Sequence, residues 1–214
     1  MYLNCPTLCT CLLAIGGAIV SAPVLITGFK RRGSGIKYES NFLIQRAPQV
    51  MSLANIALIV FAFLLYCEVP LPIIGPTLFV LDHENIASLW ISWLGVAILC
   101  SGLFFMIGGW YSLGKYFSTD AELLKNHAVC KAGLFKYVMH PAYSGIIQCL
   151  LGASLAATSI FCALFTLFIV APLWLKRAKY EEQLLIENLG PSYKQYGDQL
   201  KWRRLVPTIF PIGV

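Results

Sequence analysis

Two short polar motifs stand out in an apolar chain, and both carry side chains that could bind a polar ligand. The first is Met139-His140-Pro141-Ala142-Tyr143-Ser144-Gly145. Proline is favoured at the first position of a helix, so a helix is predicted to begin at Pro141. Its unpaired N–H groups and the positive end of its dipole would favour an anionic group beside His140 and Tyr143. The alternative is an interfacial helix start at which these two side chains only contact water.

The second motif is Arg177-Ala178-Lys179-Tyr180-Glu181-Glu182. Arg177 and Glu181 are separated by one helical turn, so they would lie on the same face of a helix. A guanidinium can hold a carboxylate by paired hydrogen bonds, and a glutamate can hold an ammonium group or a ribose hydroxyl. The alternative is an exposed ion pair that contributes little to stability. We expect the polar stretch Leu113–Gly145 to form one half of a ligand pocket, and Arg177 with Glu181 to form the other.

The composition places these motifs in a membrane protein. Apolar residues make up 58% of the chain and charged residues 12%, whereas soluble domains carry about 25% charged residues. The runs Leu8–Phe29, Gln49–Cys67 and Ile86–Trp110 lack Lys, Arg, Asp and Glu, and each approaches or exceeds the roughly 20 residues that cross a bilayer as a helix. The uncharged run Ala142–Leu175 would hold two shorter spans joined by a turn near Thr158–Ser159. The prediction is an all-α, polytopic helical membrane protein with about five transmembrane helices.

The whole chain, residues 1–214, is predicted to be one membrane domain. Three spans would occupy 1–110, and a polar connector, a helical hairpin and a cytoplasmic tail would occupy 111–214. The segment Lys176–Asn188 is predicted to continue as a cytoplasmic helix until Gly190-Pro191, because glycine commonly follows a helix end and proline cannot continue the helix. The N-terminus lacks a basic region and a clear cleavage signal, so we expect an uncleaved first span.

The positive charge of the chain indicates its topology rather than a nucleic-acid partner. The net charge is +6, and the 16 Lys and Arg residues fall into three blocks that follow the first, third and fifth predicted spans. The segments before the first span and between Glu68 and Asn85 contain neither Lys nor Arg. By the positive-inside rule, the N-terminus would be outside or lumenal and the C-terminus cytoplasmic. Such a protein would lie in the endoplasmic reticulum membrane of a eukaryote or the inner (plasma) membrane of a bacterium.

The eight cysteines indicate neither a disulfide framework nor a metal site. Most lie within or at the ends of predicted spans, and no Cys-x-x-Cys pair occurs, so we expect no metal. The chain also lacks a Gly-x-Gly-x-x-Gly sequence after a strand, which excludes a Rossmann-type nucleotide site. A scaffold or a small transporter is an alternative, although transport pathways usually place charged residues within their spans and the predicted spans contain none.

Several motifs follow one another in a characteristic order around the predicted hairpin. They are His127-Ala128-Val129-Cys130, Gly133-Leu134-Phe135, His140-Pro141-Ala142-Tyr143 with Gly145, Arg177 with Glu181-Glu182, Gly190 with Tyr193 and Tyr196, and Leu205-Val206-Pro207. In this order and spacing, the chain from Leu113 to Pro211 resembles the integral-membrane methyltransferase family of isoprenylcysteine carboxyl methyltransferase and its bacterial relatives. Residues 1–110 resemble that family only as hydrophobic spans.

The resemblance implies a methyltransferase that binds S-adenosyl-L-methionine at the cytoplasmic membrane face. The residues that would bind this cofactor are His127, Ala128, Val129, Cys130, Phe135, His140, Pro141, Ala142, Tyr143 and Glu181. Arg177 would be the catalytic residue that orients the substrate. That substrate would be lipid-like or prenylated, would enter from the lipid bilayer, and would be methylated on a prenylcysteine-type carboxylate.

Two positions depart from the family pattern and leave other acceptors open. Met139 stands where the family commonly has Arg before His-Pro, and Phe135 stands where it commonly has Tyr. A phospholipid N-methyltransferase is therefore one alternative. A second is an NADPH-dependent membrane reductase of the sterol-reductase type, which shares an HPxY-like motif and a hairpin. The chain lacks the Asp/His/Cys cluster that those reductases carry after the last span.

Overall fold

A computed structural model of the chain consists mainly of helices. It describes residues 5–35, 37–38, 41–67, 69, 75–81, 85–125, 127–200 and 205. The α-helices are α1 (Cys5–Arg31), α2 (Phe42–Gln45), α3 (Ala47–Tyr66), α4 (Ile86–Leu113), α5 (Pro141–Ala156), α6 (Ile160–Phe165), α7 (Ala171–Leu189) and α8 (Pro191–Leu200). A π-helical turn, Thr166–Val170, joins α6 to α7. Short 3₁₀ turns occur at Gly75–Leu78, Gly114–Tyr116 and Gly133–Lys136.

The prediction of a polytopic helical membrane protein is confirmed. Among the described residues, four helical stretches are long and apolar enough to span a membrane. They are Cys5–Arg31, Ala47–Leu65, Ile86–Tyr116 and Ile160–Leu189. The fourth predicted span, which begins at Pro141, corresponds to α5, which has 16 residues. At 1.5 Å per residue that is about 24 Å, less than the roughly 30 Å of a bilayer's hydrocarbon core.

The hairpin is therefore asymmetric, with a short α5 and a long second arm. Its turn lies where the sequence predicts it, because α5 ends at Ala156 and α6 begins at Ile160. Thr158 adopts a positive φ of 51° in this turn. The Ser159 hydroxyl caps α6 by accepting a hydrogen bond from Cys162 N at 3.3 Å, and it donates one to Leu78 O at 2.6 Å. Such a side-chain cap satisfies an N–H group that has no partner within the helix.

The contacts of the chain divide it into two compact units. The first comprises the described residues of Met1–Ile19, Gln49–Leu103 and Ile146–Pro172, and the second those of Val20–Pro48, Phe104–Gly145 and Leu173–Val214. The assignment of residues 1–214 to one membrane domain stays a prediction.

Close helix packing in the first unit depends on glycine. At Gly152 in α5, a Cβ atom would lie 2.5 Å from Leu99 N and 2.7 Å from Gly95 O. At Gly95 in α4, it would lie 2.3 Å from Ala156 N. Only residues without a side chain let the backbones of α4 and α5 approach this closely, as is common between helices in membranes.

In the second unit, loops fold against the N-terminal end of α5 and against α7. A two-stranded antiparallel ladder pairs β1 (Lys37–Tyr38) with β2 (Glu122–Leu123). The predicted helix end after Asn188 is confirmed, since α7 ends at Leu189 and α8 starts at Pro191. Gly190 between them has a φ of 58°, a conformation that glycine adopts without strain.

The start of the C-terminal tail packs onto the polar connector. Tyr193, Tyr196 and Leu200 of α8 form a buried apolar cluster with Met139. Other sequence-based assignments lie outside the described residues. These are Val206-Pro207 of the closing motif, the basic residues Lys201, Arg203 and Arg204, and Glu68, Asp82, His83 and Glu84 of the loop predicted to be outside.

Candidate functional site

The two polar motifs meet in the second unit. Tyr143 lies in the first turn of α5, which begins at Pro141 as the sequence predicts. Its hydroxyl donates a hydrogen bond to Glu181 Oε1 on α7. Arg177 Nε lies 3.2 Å from the Tyr143 hydroxyl and 3.1 Å from Glu181 Oε1. The structure thus brings together one residue of the first motif and both charged residues singled out in the second.

A second contact joins the same two motifs. His140 Nε2 lies 2.8 Å from Glu182 Oε1, and both side chains are buried. A carboxylate can only accept a hydrogen bond, so His140 Nε2 carries the hydrogen when Glu182 is ionised. The rings of His140 and Tyr143 stack with centroids 5.5 Å apart and an angle of 3°. His140 is therefore held on one side by Glu182 and on the other by Tyr143.

Arg177 is buried, and each of its three guanidinium nitrogens donates a hydrogen bond to a protein group. Its Nη1 donates to Gln45 O at 3.4 Å, and its Nη2 donates to Thr119 O at 3.0 Å. The guanidinium also lies 5.5 Å from the ring centroid of Trp174, within the range of a cation–π interaction. Arg177 and Glu181 do form an ion pair, but the alternative in which this pair is exposed is wrong for the arginine, because only 3% of the Arg177 side chain is exposed.

Glu181 differs from the other charged residues of this network in being accessible. Its side chain is 23% exposed, compared with 3% for Arg177 and for Glu182. The bonds from Tyr143 and Arg177 both go to Oε1. Its Oε2 has no hydrogen-bond partner among the residues that the structure describes. Glu181 is thus the acidic group of the network that can receive a donor from outside the protein.

His127 lies near this carboxylate with one ring nitrogen unused. Its Nδ1 is buried and has no hydrogen-bond partner within the described part of the chain. The ring packs against Tyr116, with centroids 4.8 Å apart. Burial lowers the pKa of His127, because the charged ring is poorly solvated there; the nearby Glu181 carboxylate acts in the opposite direction and does not cancel the effect. The imidazole is therefore neutral at pH 7.

This burial predicts a pH dependence. The folded protein holds the proton on His127 less tightly than the unfolded chain, whose histidines titrate near pH 6.5. Its contribution to stability should therefore fall as the pH drops below about 6.5 and become constant below the folded pKa. An NMR titration of the ring should give a midpoint below about 6.5. A midpoint at or above that value would contradict the burial argument.

The remaining predicted cofactor residues occupy three different environments. Ala128 is exposed, and Val129 packs against the Met139 cluster. Cys130 Sγ donates to Ser112 O at 3.4 Å. Phe135 is buried, and its carbonyl accepts a 2.8 Å hydrogen bond from the Tyr196 hydroxyl. Burial raises the pKa of Tyr196, and Cys130 acts in the same direction, so this hydroxyl remains a donor.

Pro141 and Ala142 form the start of α5 and do not face an open surface. Both are buried. A Cβ added to Gly109 of α4 would lie 2.8 Å from Ala142 N, so the two helices touch at this point through their backbones. Met139, where the family commonly has Arg, is buried among apolar side chains of α8. In this chain the position is filled by apolar packing instead of charge.

Sequence reasoning missed several residues that hold the site together. They are Gln45, Thr119, Trp174 and Glu182, the last of these as the hydrogen-bond partner of His140. The spacing of Glu182 from His140 contained no signal of their contact, since they are distant in sequence. Gln45 and Thr119 act through backbone carbonyls, which any residue type supplies.

Comparison with known proteins agrees with the motifs. Residues 93–187 match the family described as the isoprenylcysteine carboxyl methyltransferase (ICMT) family. The resemblance to the ICMT family is confirmed. The matched segment contains all ten predicted cofactor residues and Arg177, together with Glu182. The loop that includes Gln45 lies outside it.

One curated relative is a protein-S-isoprenylcysteine O-methyltransferase of Schizosaccharomyces pombe. It is 26% identical to this chain over 119 residues, which cover 55% of this chain and 48% of the relative. The chain therefore spans about half the length of the curated relative it matches.

Within the described part of the chain, no group of three or more His, Cys, Asp or Glu side chains is arranged to hold a metal ion. Glu182 is bonded to His140, and Glu181 is bonded to Tyr143 and Arg177 and is partly exposed.

Proposed function

We propose that this protein is an S-adenosyl-L-methionine-dependent methyltransferase that methylates the carboxylate of a prenylcysteine-type substrate. The observation that carries the proposal is the network of Tyr143, Arg177 and Glu181, which joins the two motifs that the ICMT family resemblance had paired. The match over residues 93–187 also supports the proposal. So do the apolar helices, because a lipid-like or prenylated substrate would enter between them from the bilayer.

The residues present fit this cofactor. Its methionine part carries an ammonium group and its ribose carries hydroxyls, and the accessible Glu181 carboxylate is an acceptor for either of them. His127 offers a buried Nδ1 without a partner among the described residues, and such a group is costly unless something bonds to it. Ala128 is exposed next to it. The other predicted cofactor residues, including Cys130, Phe135 and His140, stay proposals on the family resemblance.

When bound, the cofactor supplies an electrophilic methyl group on a sulfonium. An acceptor carboxylate is already ionised at neutral pH, so the protein need not remove a proton from it. The task of this chain's residues is to position the acceptor and to exclude water. Such positioning can lower the activation free energy by several kcal/mol. The Arg177 guanidinium provides the positive charge that favours a carboxylate nearby, and it holds both Tyr143 and Glu181 in place.

The proposal includes a location in the membrane. The site would open at the cytoplasmic face, with the three basic blocks on that side and the N-terminus outside or lumenal. In a eukaryote the membrane would be that of the endoplasmic reticulum, and in a bacterium it would be the inner (plasma) membrane.

Ligand binding by the purified protein tests the proposal. Calorimetric titrations with S-adenosylmethionine, S-adenosylhomocysteine and NADPH should show binding of the first two ligands and none of NADPH. Binding of NADPH alone would favour the reductase, and binding of none of them would contradict an enzyme of either type.

An acceptor assay then tests the substrate. A farnesylated cysteine with a free carboxylate should be methylated, whereas its carboxamide should not. Methylation of phosphatidylethanolamine in place of the prenylcysteine would show that the acceptor is a phospholipid amine.

A further inference from the structure

An ion pair with a buried carboxylate, Arg46–Asp120, lies one residue away from the groups that hold Arg177. The Asp120 carboxylate is 1% exposed. It accepts hydrogen bonds from both terminal nitrogens of Arg46, Nη1 to Oδ1 at 2.6 Å and Nη2 to Oδ2 at 3.2 Å. Arg32 adds a bond from Nε at 3.2 Å. Paired contacts of this kind fix the orientation of both partners as well as their distance.

The sequence neighbours of this pair are the acceptors for Arg177. Gln45 precedes Arg46, and its carbonyl accepts from Arg177 Nη1. Thr119 precedes Asp120, and its carbonyl accepts from Arg177 Nη2. The Gln45 side chain also accepts a hydrogen bond from Ala121 N at 2.7 Å. The Gln45–Ala121 bond and the Arg46–Asp120 pair therefore join the end of α2 to the polar connector, directly beside the two carbonyls.

We propose that the Arg46–Asp120 pair positions the Arg177 guanidinium for the methyl acceptor. Arg46 and Asp120 would be positioning residues, since they reach the site only through the two carbonyls and Arg177. Arg46 lies outside the segment that matches the ICMT family, so this part of the site belongs to the N-terminal half of the chain. The inference rests on the proposed function for its link to catalysis, but not for the position of Arg177.

The energetics favour a pair that stays formed. A buried carboxylate without a partner is strongly unfavourable, so Asp120 has no low-energy alternative to its arginines. Arg177 retains Glu181 and Tyr143 on its Nε when the pair is lost, but the carbonyls at Nη1 and Nη2 can then move. We expect the guanidinium to turn about its Nε end rather than to leave the site.

The position of Arg177 can be tested without any ligand. Hydrogen exchange of the Arg177 Nη–H groups, assigned by their loss in R177K, reports how often the guanidinium leaves the carbonyls of Gln45 and Thr119. D120N should speed this exchange by about tenfold relative to wild type. R46K keeps the positive charge but loses the paired contact with Asp120. It should speed the exchange by a similar factor, although both charges of the ion pair remain. R32Q is the matched control, because Arg32 bonds the same carboxylate from a side chain that is 44% exposed; its effect should stay below about threefold.

Kinetics separate positioning from a general loss of structure. D120N should lower kcat/KM for a farnesylated cysteine by about tenfold and change the affinity for S-adenosylhomocysteine by less than about threefold. D120N and R177K should be non-additive, because they act on the same guanidinium. Additive losses, or equal losses of acceptor turnover and cofactor binding with a lower Tm, would show a structural role only.

The two proposals fail separately. Exchange of the Arg177 Nη–H groups within about twofold of wild type in both D120N and R46K would overturn the positioning role, whatever the activity. A wild-type protein that binds no S-adenosylhomocysteine and methylates no prenylcysteine would overturn the proposed function, while the exchange rates would still decide whether the pair holds Arg177.

Discussion

Replacing Glu181 with glutamine is expected to weaken S-adenosylhomocysteine binding by roughly 30-fold, or about 2 kcal/mol, which is typical of a hydrogen bond to a charged group. Glutamine keeps an oxygen that can accept from Tyr143 and Arg177, so the network should persist. It removes the negative charge that faces an ammonium or ribose hydroxyl, and it leaves the Arg177 charge uncompensated. Calorimetry on the purified protein measures the change.

Glu187 provides a matched control for this substitution. It lies on the same helix, α7, and is exposed. E187Q removes an equal charge from the same element and should leave S-adenosylhomocysteine affinity unchanged. If E181Q also binds like wild type, Glu181 does not hold the cofactor, and the second half of the site lies elsewhere.

Replacing Glu182 with alanine should have the largest effect on stability among the residues of the site. The carboxylate is buried and bonded to His140 Nε2 at 2.8 Å. Removing one partner so that a buried donor is left unsatisfied costs about 1–3 kcal/mol. For a chain of this size, about 3 kcal/mol, the upper end of that range, corresponds to a Tm lower by roughly 6–12 °C. Thermal unfolding of the purified protein in detergent checks this value.

The glutamine variant isolates the hydrogen bond from the packing. E182Q retains an oxygen that can accept from His140 and nearly the same volume, so it should lose less than about 1.5 kcal/mol. A Tm for E182A equal to that of wild type would mean that the contact with His140 does not stabilise the fold.

Much of the fold could be predicted from the sequence because membrane helices follow from local composition. The uncharged runs correspond to α1, α3 and α4, and the turn near Thr158–Ser159 and the helix start at Pro141 occur as predicted. These features depend on residues adjacent in sequence, such as proline at a first helical turn. The sequence predicted two short spans within Ala142–Leu175, whereas α5 has 16 residues and the helical stretch after the turn, Ile160–Leu189, has 30.

The candidate site was only half predictable. The sequence alone determined which residue types are polar in an apolar chain, and the one-turn spacing of Arg177 and Glu181 determined that they share a helix face. Only the tertiary structure decided that Arg177 is buried, that Glu182 bonds His140, and that Glu181 remains accessible. These contacts join residues far apart in sequence, and the carbonyls of Gln45 and Thr119 carry no residue-specific signal. The physical reason is that side-chain identity sets what a group can bond, whereas packing sets which groups meet and which of them water can reach.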